Sequence, residues 1–376
     1  TSTARDIDDD HLQFLRRKAW TGGFDLRHEF NDRRYRIEAR LLGSHLRGSA
    51  ESIDRLQTSS ARYYQRPDND HAEYDPERTT LSGTAGSLMF TRTGRSSRLM
   101  YQTGAAWRTP GFEINDLGYM QRADEINQFT WAGYSLRDPF WIFNNWQLNG
   151  NQWLDWDFGG TLLRKKVNFN NNANFRDHSY YYWGLTRSFE EISNTELRGG
   201  PSSRWPGWLA ISAQYSTNPR RALSTGFGGS FKKGDESNLD NWDTWVDLIY
   251  RPSNTLRLTL SPWYARTINA MQYVDTPSYG DEDRYVFGHL DQRTFAFTFR
   301  VDYCLTPNLT VQYYGAPFLS AGRYRDFKRI TDPRAGRFAD RYRQFTAAEV
   351  ARDAESGDYA VDENVDGTAD YEFSNP

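Results

Sequence analysis

The sequence predicts an all-β protein: an antiparallel up-and-down transmembrane β-barrel, with about fourteen strands in this segment. Three observations predict it. Apolar and polar residues alternate with period two over long runs, short turns alternate with long polar connections, and aromatic residues abound without a matching aliphatic interior. Aromatics make up 16% of the 376 residues, yet hydrophobic residues reach only 38% and the mean hydropathy is −0.83. A soluble chain this aromatic ordinarily carries more Leu, Ile, Val and Ala to fill its core. A barrel in lipid has an apolar outside and a polar inside, with Tyr and Trp favoured at the headgroup levels, so low hydropathy and strong alternation go together.

Taken along the chain, the first run sets Trp20, Gly22, Phe24 and Leu26 against Thr21, Gly23, Asp25 and Arg27. After a turn at Asn31-Asp32, Tyr35, Ile37, Ala39 and Leu41 oppose Arg36, Glu38 and Arg40. Leu99, Tyr101 and Trp107 share one face, as do Leu209, Ile211, Ala213 and Tyr215. Val246, Leu248 and Tyr250 lead through Arg251-Pro252-Ser253-Asn254 to Leu256, Leu258 and Leu260. The cleanest run sets Phe295, Phe297, Phe299, Val301, Tyr303 and Leu305 against Thr294, Ala296, Thr298, Arg300, Asp302 and Cys304. Successive strand side chains point to opposite faces, so these are hairpins in series, each with one greasy side. Arg36, Glu38, Arg40, Thr298, Arg300 and Asp302 are expected to line a wet lumen.

Residues 1–17 read as a polar lead-in, 18–320 as barrel strands with short periplasmic turns and long extracellular loops, and 321–376 as an Arg-rich then acidic extracellular loop or tail. A short helix is expected over 346–354. Under this layout both ends of the segment fall on the exterior, whereas complete bacterial barrels keep both termini in the periplasm. At least one strand is therefore expected before residue 1 and one after residue 376, in a barrel of sixteen or more strands. The ending Asn375-Pro376, with no terminal aromatic strand, agrees.

Composition bounds the function. The 46 Lys+Arg against 49 Asp+Glu give a net charge of −3, so no basic footprint for nucleic acid exists. The single cysteine, Cys304, excludes an intrachain disulfide and a Cys-built zinc site. No apolar run approaches the roughly 18 residues of a transmembrane helix.

The blocks Gly111-Phe112-Glu113-Ile114-Asn115-Asp116-Leu117-Gly118-Tyr119, Arg198-Gly199-Gly200-Pro201, Val286-Phe287-Gly288-His289-Leu290-Asp291 and Ser320-Ala321-Gly322-Arg323-Tyr324 carry a resemblance. Together they resemble an uncharacterised bacterial outer-membrane β-barrel family that usually follows a module similar to family-9 carbohydrate-binding domains. The resemblance implies the outer membrane of a Gram-negative bacterium and a link to glycans. It implies no established reaction. This chain departs from the pattern in lacking the N-terminal module and the usual closing strands.

Candidate sites divide by specificity. Six scattered histidines show no metalloprotease spacing, and Gly226-Phe227-Gly228-Gly229-Ser230 lies in a strand pattern, where close backbone packing explains it better than a phosphate cradle. Arg198, Gly199, Gly200 and Pro201 form a candidate constriction loop, with Arg198 selecting anions, against the plainer reading of an ordinary structured loop. Asp362, Asn364, Asp366 and Asp370 supply oxygens at positions 1, 3, 5 and 9 of a calcium loop, with Gly367 at position 6. Position 12 is Phe373 rather than Glu, and a merely acidic solvated loop is the alternative reading. The functional expectation is a pore, transporter or surface platform in contact with lipid and linked to glycan uptake or binding. The alternatives are an outer-membrane or secreted polysaccharide hydrolase and a soluble β-rich glycan-binding protein.

Overall fold

The computed structural model describes residues 1–93 and 97–374, apart from the Asp10 side chain; the middle of the expected turn after Arg92 and the ending Asn375-Pro376 lie outside the described residues. Seventeen strands belong to one sheet, and every strand pairing given below is antiparallel. Two compact units form: Thr1–Gly133 with Gly150–Val167 and Ser188–Trp205, and Tyr134–Asn149 with Asn168–Arg187 and Pro206–Pro376.

In the first unit Lys18–Phe30, Tyr35–Arg47, Thr80–Arg92 and Leu99–Arg108 form a meander in unbroken register. The turn after Phe30 closes through Asn31, Asp32 and Arg33, all at positive φ, a conformation that Asn and Asp tolerate best among non-glycine residues. The polar segment 48–79 is not an open loop. Ser49 caps the helix Ala50–Gln57 by accepting a hydrogen bond from the Ser52 amide at 3.1 Å. Ile53 and Leu56 of that helix pack with Tyr64 against Ala19, Leu46 and Leu81. Two apolar positions per two turns sufficed to dock it, too few for the period to stand out among the polar residues.

In the second unit Trp208–Ser216, Leu223–Gly234, Leu239–Tyr250, Leu256–Asp275 and Val286–Thr306 pair in chain order. The glycine run lies here as expected. A Cβ at Gly228 would stand 2.7 Å from the Trp245 ring, so the indole covers the glycine rather than a phosphate. Leu256–Asp275 and Val286–Thr306 run to 20 and 21 residues, about twice the length a tilted strand needs to span a bilayer. Leu309–Gly315 and Phe318–Ile330 both pair with Val286–Thr306, separated at Ala316-Pro317, where proline cannot donate to the ladder.

The count of about fourteen strands is thus corrected to seventeen. Ser2–Ala4 and Tyr342–Gln344 are too short to show a period, and Pro317 splits one expected strand in two. The barrel boundary at 320 also moves, because Phe318–Ile330 continues past it. No helix forms over 346–354. Instead Val350–Arg352, Tyr359–Val361 and Tyr371–Phe373 make a small three-stranded sheet. Val361, Tyr371 and Phe373 bury themselves against Val286, Phe327 and Phe345, and that long-range burial overrides the local helical tendency.

Candidate functional site

The first unit holds a cavity of about 660 Å³ over one face of its meander. Cross-strand register aligns Leu42, Ala85 and Arg108 in one row and Arg40, Ser87 and Ala106 in the next. Strand alternation gives this face Arg36 and Glu38 as well, so the cavity opens on the side expected to be lumenal.

The opposite wall is the segment 112–122, which folds onto the strands because two backbones meet there. A Cβ at Gly83 would fall 2.1 Å from the Phe112 amide nitrogen, so only glycine admits the contact. Arg62 fixes the same segment from below. Its Nε donates to the Pro110 carbonyl at 3.0 Å and an Nη donates to that of Phe112 at 2.5 Å. A second Nη meets Glu113 at 2.9 Å, both side chains being fully buried. Nearby, burial pushes the Tyr64 phenol up to about 12. Asp116 accepts from Arg5 and Arg16, each at 2.7 Å, which ties the lead-in to the wall.

The electrostatics of the cavity are unbalanced. Glu125 accepts from Arg108 and, at 3.0 Å, from Arg164, whose Nε reaches Asp155 at 2.9 Å. Arg122 donates to the Thr195 hydroxyl at 3.1 Å. Arg40 is exposed and makes no hydrogen bond or ion pair among the described residues. Four guanidinium groups and one carboxylate, Glu125, line the cavity beside the exposed ring of Tyr119, with Asp155 behind Arg164 and the charge of Glu196 acting on Arg122. Such a lining offers surplus donors and positive charge to an anionic or hydroxyl-rich solute.

The structure places four of the expected lumen residues in local pairs. Arg36 meets Glu38 at 3.0 Å, Arg300 meets Asp302 at 3.0 Å, and Gln312 donates to Asp302 at 2.9 Å. Thr298 lies on the same strand face as Arg300 and Asp302. Arg198 and Gly199 take positive φ in a tight bend whose Gly200 amide donates to the Leu197 carbonyl at 2.9 Å, with Pro201 following. That bend packs on the 48–79 segment: a Cβ at Gly199 would lie 2.6 Å from the Gln65 amide nitrogen, and Arg66 donates to Ser202 at 2.8 Å.

In the acidic loop the carboxylates turn onto the loop's own amides. Asp362 accepts from Gly367 at 2.7 Å, Asn364 from Asp366 at 2.9 Å, and Asp370 from Glu363 at 2.7 Å. Among the described residues no three His, Cys, Asp or Glu are grouped to hold a metal ion.

Sequence reasoning missed Arg108, Arg122, Glu125 and Arg164, which lie on separate strands and a loop with no shared spacing. It also missed His71, whose Nε2 lies 2.8 and 2.9 Å from the two oxygens of buried Asp124. Asp124 also accepts from the Phe158 amide at 3.0 Å. His71 also lies 3.4 Å from Asp70 through Nδ1, and with Asp124 it joins two loops.

The chain is structurally similar to a siderophore receptor, PirA from Acinetobacter baumannii, with 8% identity and a TM-score of 0.44, over 95% of this chain and 64% of the receptor. It thus spans less than two-thirds of that protein's length. No curated protein matches it in sequence. Residues 49–364, most of its length, match the family model described as Domain of unknown function (DUF5916), and the chain belongs to that family.

Proposed function

We propose that the chain is the strand-bearing part of an integral outer-membrane β-barrel, serving as a pore, transporter or surface platform linked to glycan uptake or binding. One observation carries this reading: large apolar side chains stand exposed at alternate positions and line up across strands. Ile211 is 52% exposed, Phe227 53% and Leu319 76%. Register joins Tyr215, Phe227 and Val246 in one row and Leu248, Leu260 and Phe299 in another. A contiguous apolar face of this extent is unfavourable in water and favourable against lipid tails. The cavity beside Arg40 and Arg122 suits a hydroxyl-rich or acidic solute such as a glycan, delivered by an attached or associated glycan-binding module.

The protein should require detergent for extraction and run faster on gels when unboiled. A detergent-free soluble monomer would end this reading. Planar-bilayer conductance, repeated with neutral and acidic oligosaccharides, tests transport, and block by the acidic series that weakens in Arg40→Gln is the expected result.

Under the same reading the loop Asp362–Asp370 lies outside the cell and binds calcium in the range of about 0.1–1 mM. Each carboxylate there keeps lone pairs for an ion beside the amide it accepts from. Calcium that leaves the loop's protease sensitivity unchanged, in wild type and Asp366→Ala alike, rules this out.

A further inference from the structure

Three neighbouring strands of the second unit carry their apolar face to a sharp upper limit. On Val286–Thr306 the positions Phe295, Phe297, Phe299, Val301, Tyr303 and Leu305 cover roughly 33 Å of strand. At a tilt near 45° that spans about 24 Å of membrane normal, the height of a barrel's apolar band. Its top row is Tyr264, Phe295 and Leu319, aligned by register, with Phe295 44% exposed.

Of the next two rows on this outward face, the first carries Arg266, Arg293 and Ala321 and the second Ile268, Asp291 and Arg323. Arg266 stands directly opposite Arg293, and Asp291 opposite Arg323, with His289 opposite Arg325 beyond them. Asp291 satisfies only one of these cations: Arg266 grips it bidentately at 2.9 and 2.7 Å. Arg325 is occupied by Asp326 at 2.8 Å and by His289 at 3.1 Å. Arg293 and Arg323 are exposed, with no hydrogen bond or ion pair among the described residues. Asp291 already neutralises Arg266, so the guanidinium groups of Arg293 and Arg323 are the ones on these rows left to take an external anion. Ala321, opposite Arg293 on the other side, leaves room for one.

Resting on the outer-membrane reading above, we propose that Arg293 and Arg323 bind the phosphate of a lipid headgroup. Their place argues for this class of partner. They lie one and two rows above the last lipid-facing ring, where headgroups begin, and the guanidinium fork matches a phosphate bidentately.

The test is retention of lipid A and of dephosphorylated lipid A by the detergent-solubilised chain, counted by native mass spectrometry. Wild type should retain the phosphorylated lipid roughly ten-fold better, and Arg293→Gln/Arg323→Gln should lose that preference. Arg323→Gln alone should lose part of it, which keeps the test open should the double variant fail to fold. Equal retention of the two lipids by wild type, or an undiminished preference in the folded variants, overturns the proposal. Inorganic phosphate that displaces lipid A at equal concentration also overturns it, by assigning a free-phosphate site. Unboiled-gel mobility of each protein is scored separately, so failure of the barrel reading is distinguishable from failure of this one.

Discussion

Glu363 and Arg329 are ion-paired at 2.8 Å, although one belongs to the acidic loop and the other to the end of the strand Phe318–Ile330. The same carboxylate accepts a hydrogen bond from the Tyr371 hydroxyl at 2.6 Å and lies 3.5 Å from Arg343. Burial, then the bond to Glu363, raises the Tyr371 phenol above its ordinary range. One nearly buried acid thus neutralises a basic cluster and fastens the three-stranded module to the sheet.

Glu363→Ala leaves those arginines facing one another in a partly desolvated site. The site is partly solvated and Arg343 keeps Glu349 as a partner, so the loss is about 1–3 kcal/mol. Limited proteolysis should cut the variant between residues 331 and 374 while the long strands stay protected. Unchanged protection of that segment would show that the apolar cluster alone holds it.

A second acid sets a pH dependence. Although burial opposes it, the Arg343 guanidinium and the Thr346 amide hold the Glu349 carboxyl down at about 2. A depressed folded-state value means that the contribution is complete above the unfolded value of about 4.3 and is lost as pH falls toward the folded one. Protease resistance of the module should therefore decline between about pH 4.3 and 2, and Glu349→Gln should flatten that decline. A wild-type profile that matches the variant's would refute the assignment.

The two faces of Val286–Thr306 make unequal demands. Arg or Lys placed on a lipid face at mid-bilayer costs about 2–4 kcal/mol. Phe297→Arg should therefore impair folding into detergent or lipid more than Thr298→Arg, measured by the fraction with heat-modifiable mobility. Equal damage, or the reverse order, would show the faces to be interchanged.

Chemical labelling of Cys304 checks the same assignment. It is exposed, and the Thr310 hydroxyl lies 3.6 Å from its Sγ, on the strand face of Arg300 and Asp302. A charged, water-soluble maleimide should modify it in the folded protein, while a lipid-confined reagent should not. Modification only by the lipid-confined reagent would place this face against the bilayer.

The sequence by itself determined most of the long strands and which of their residues share a face. Alternation is a local property, enforced residue by residue, so Phe295 to Leu305 could be read without knowing their neighbours. Turn positions were legible for the same reason, since Asn31-Asp32 and Arg251-Pro252-Ser253-Asn254 act within a few residues. Only the tertiary structure decided what fills the long polar segments. The burial of Ile53 and Leu56 on Leu46 and Leu81, the Arg62–Glu113 pair, and the docking of Val361 and Phe373 on Phe327 each join residues far apart in the chain. The cavity is of that kind too. Arg40, Arg108, Arg122, Glu125 and Arg164 share no spacing, and cross-strand register together with the close approach at Gly83 brings them to one surface. A period records which residues share a strand face; the partners of a buried charge are set by the packing of distant segments, and no short window of sequence contains them.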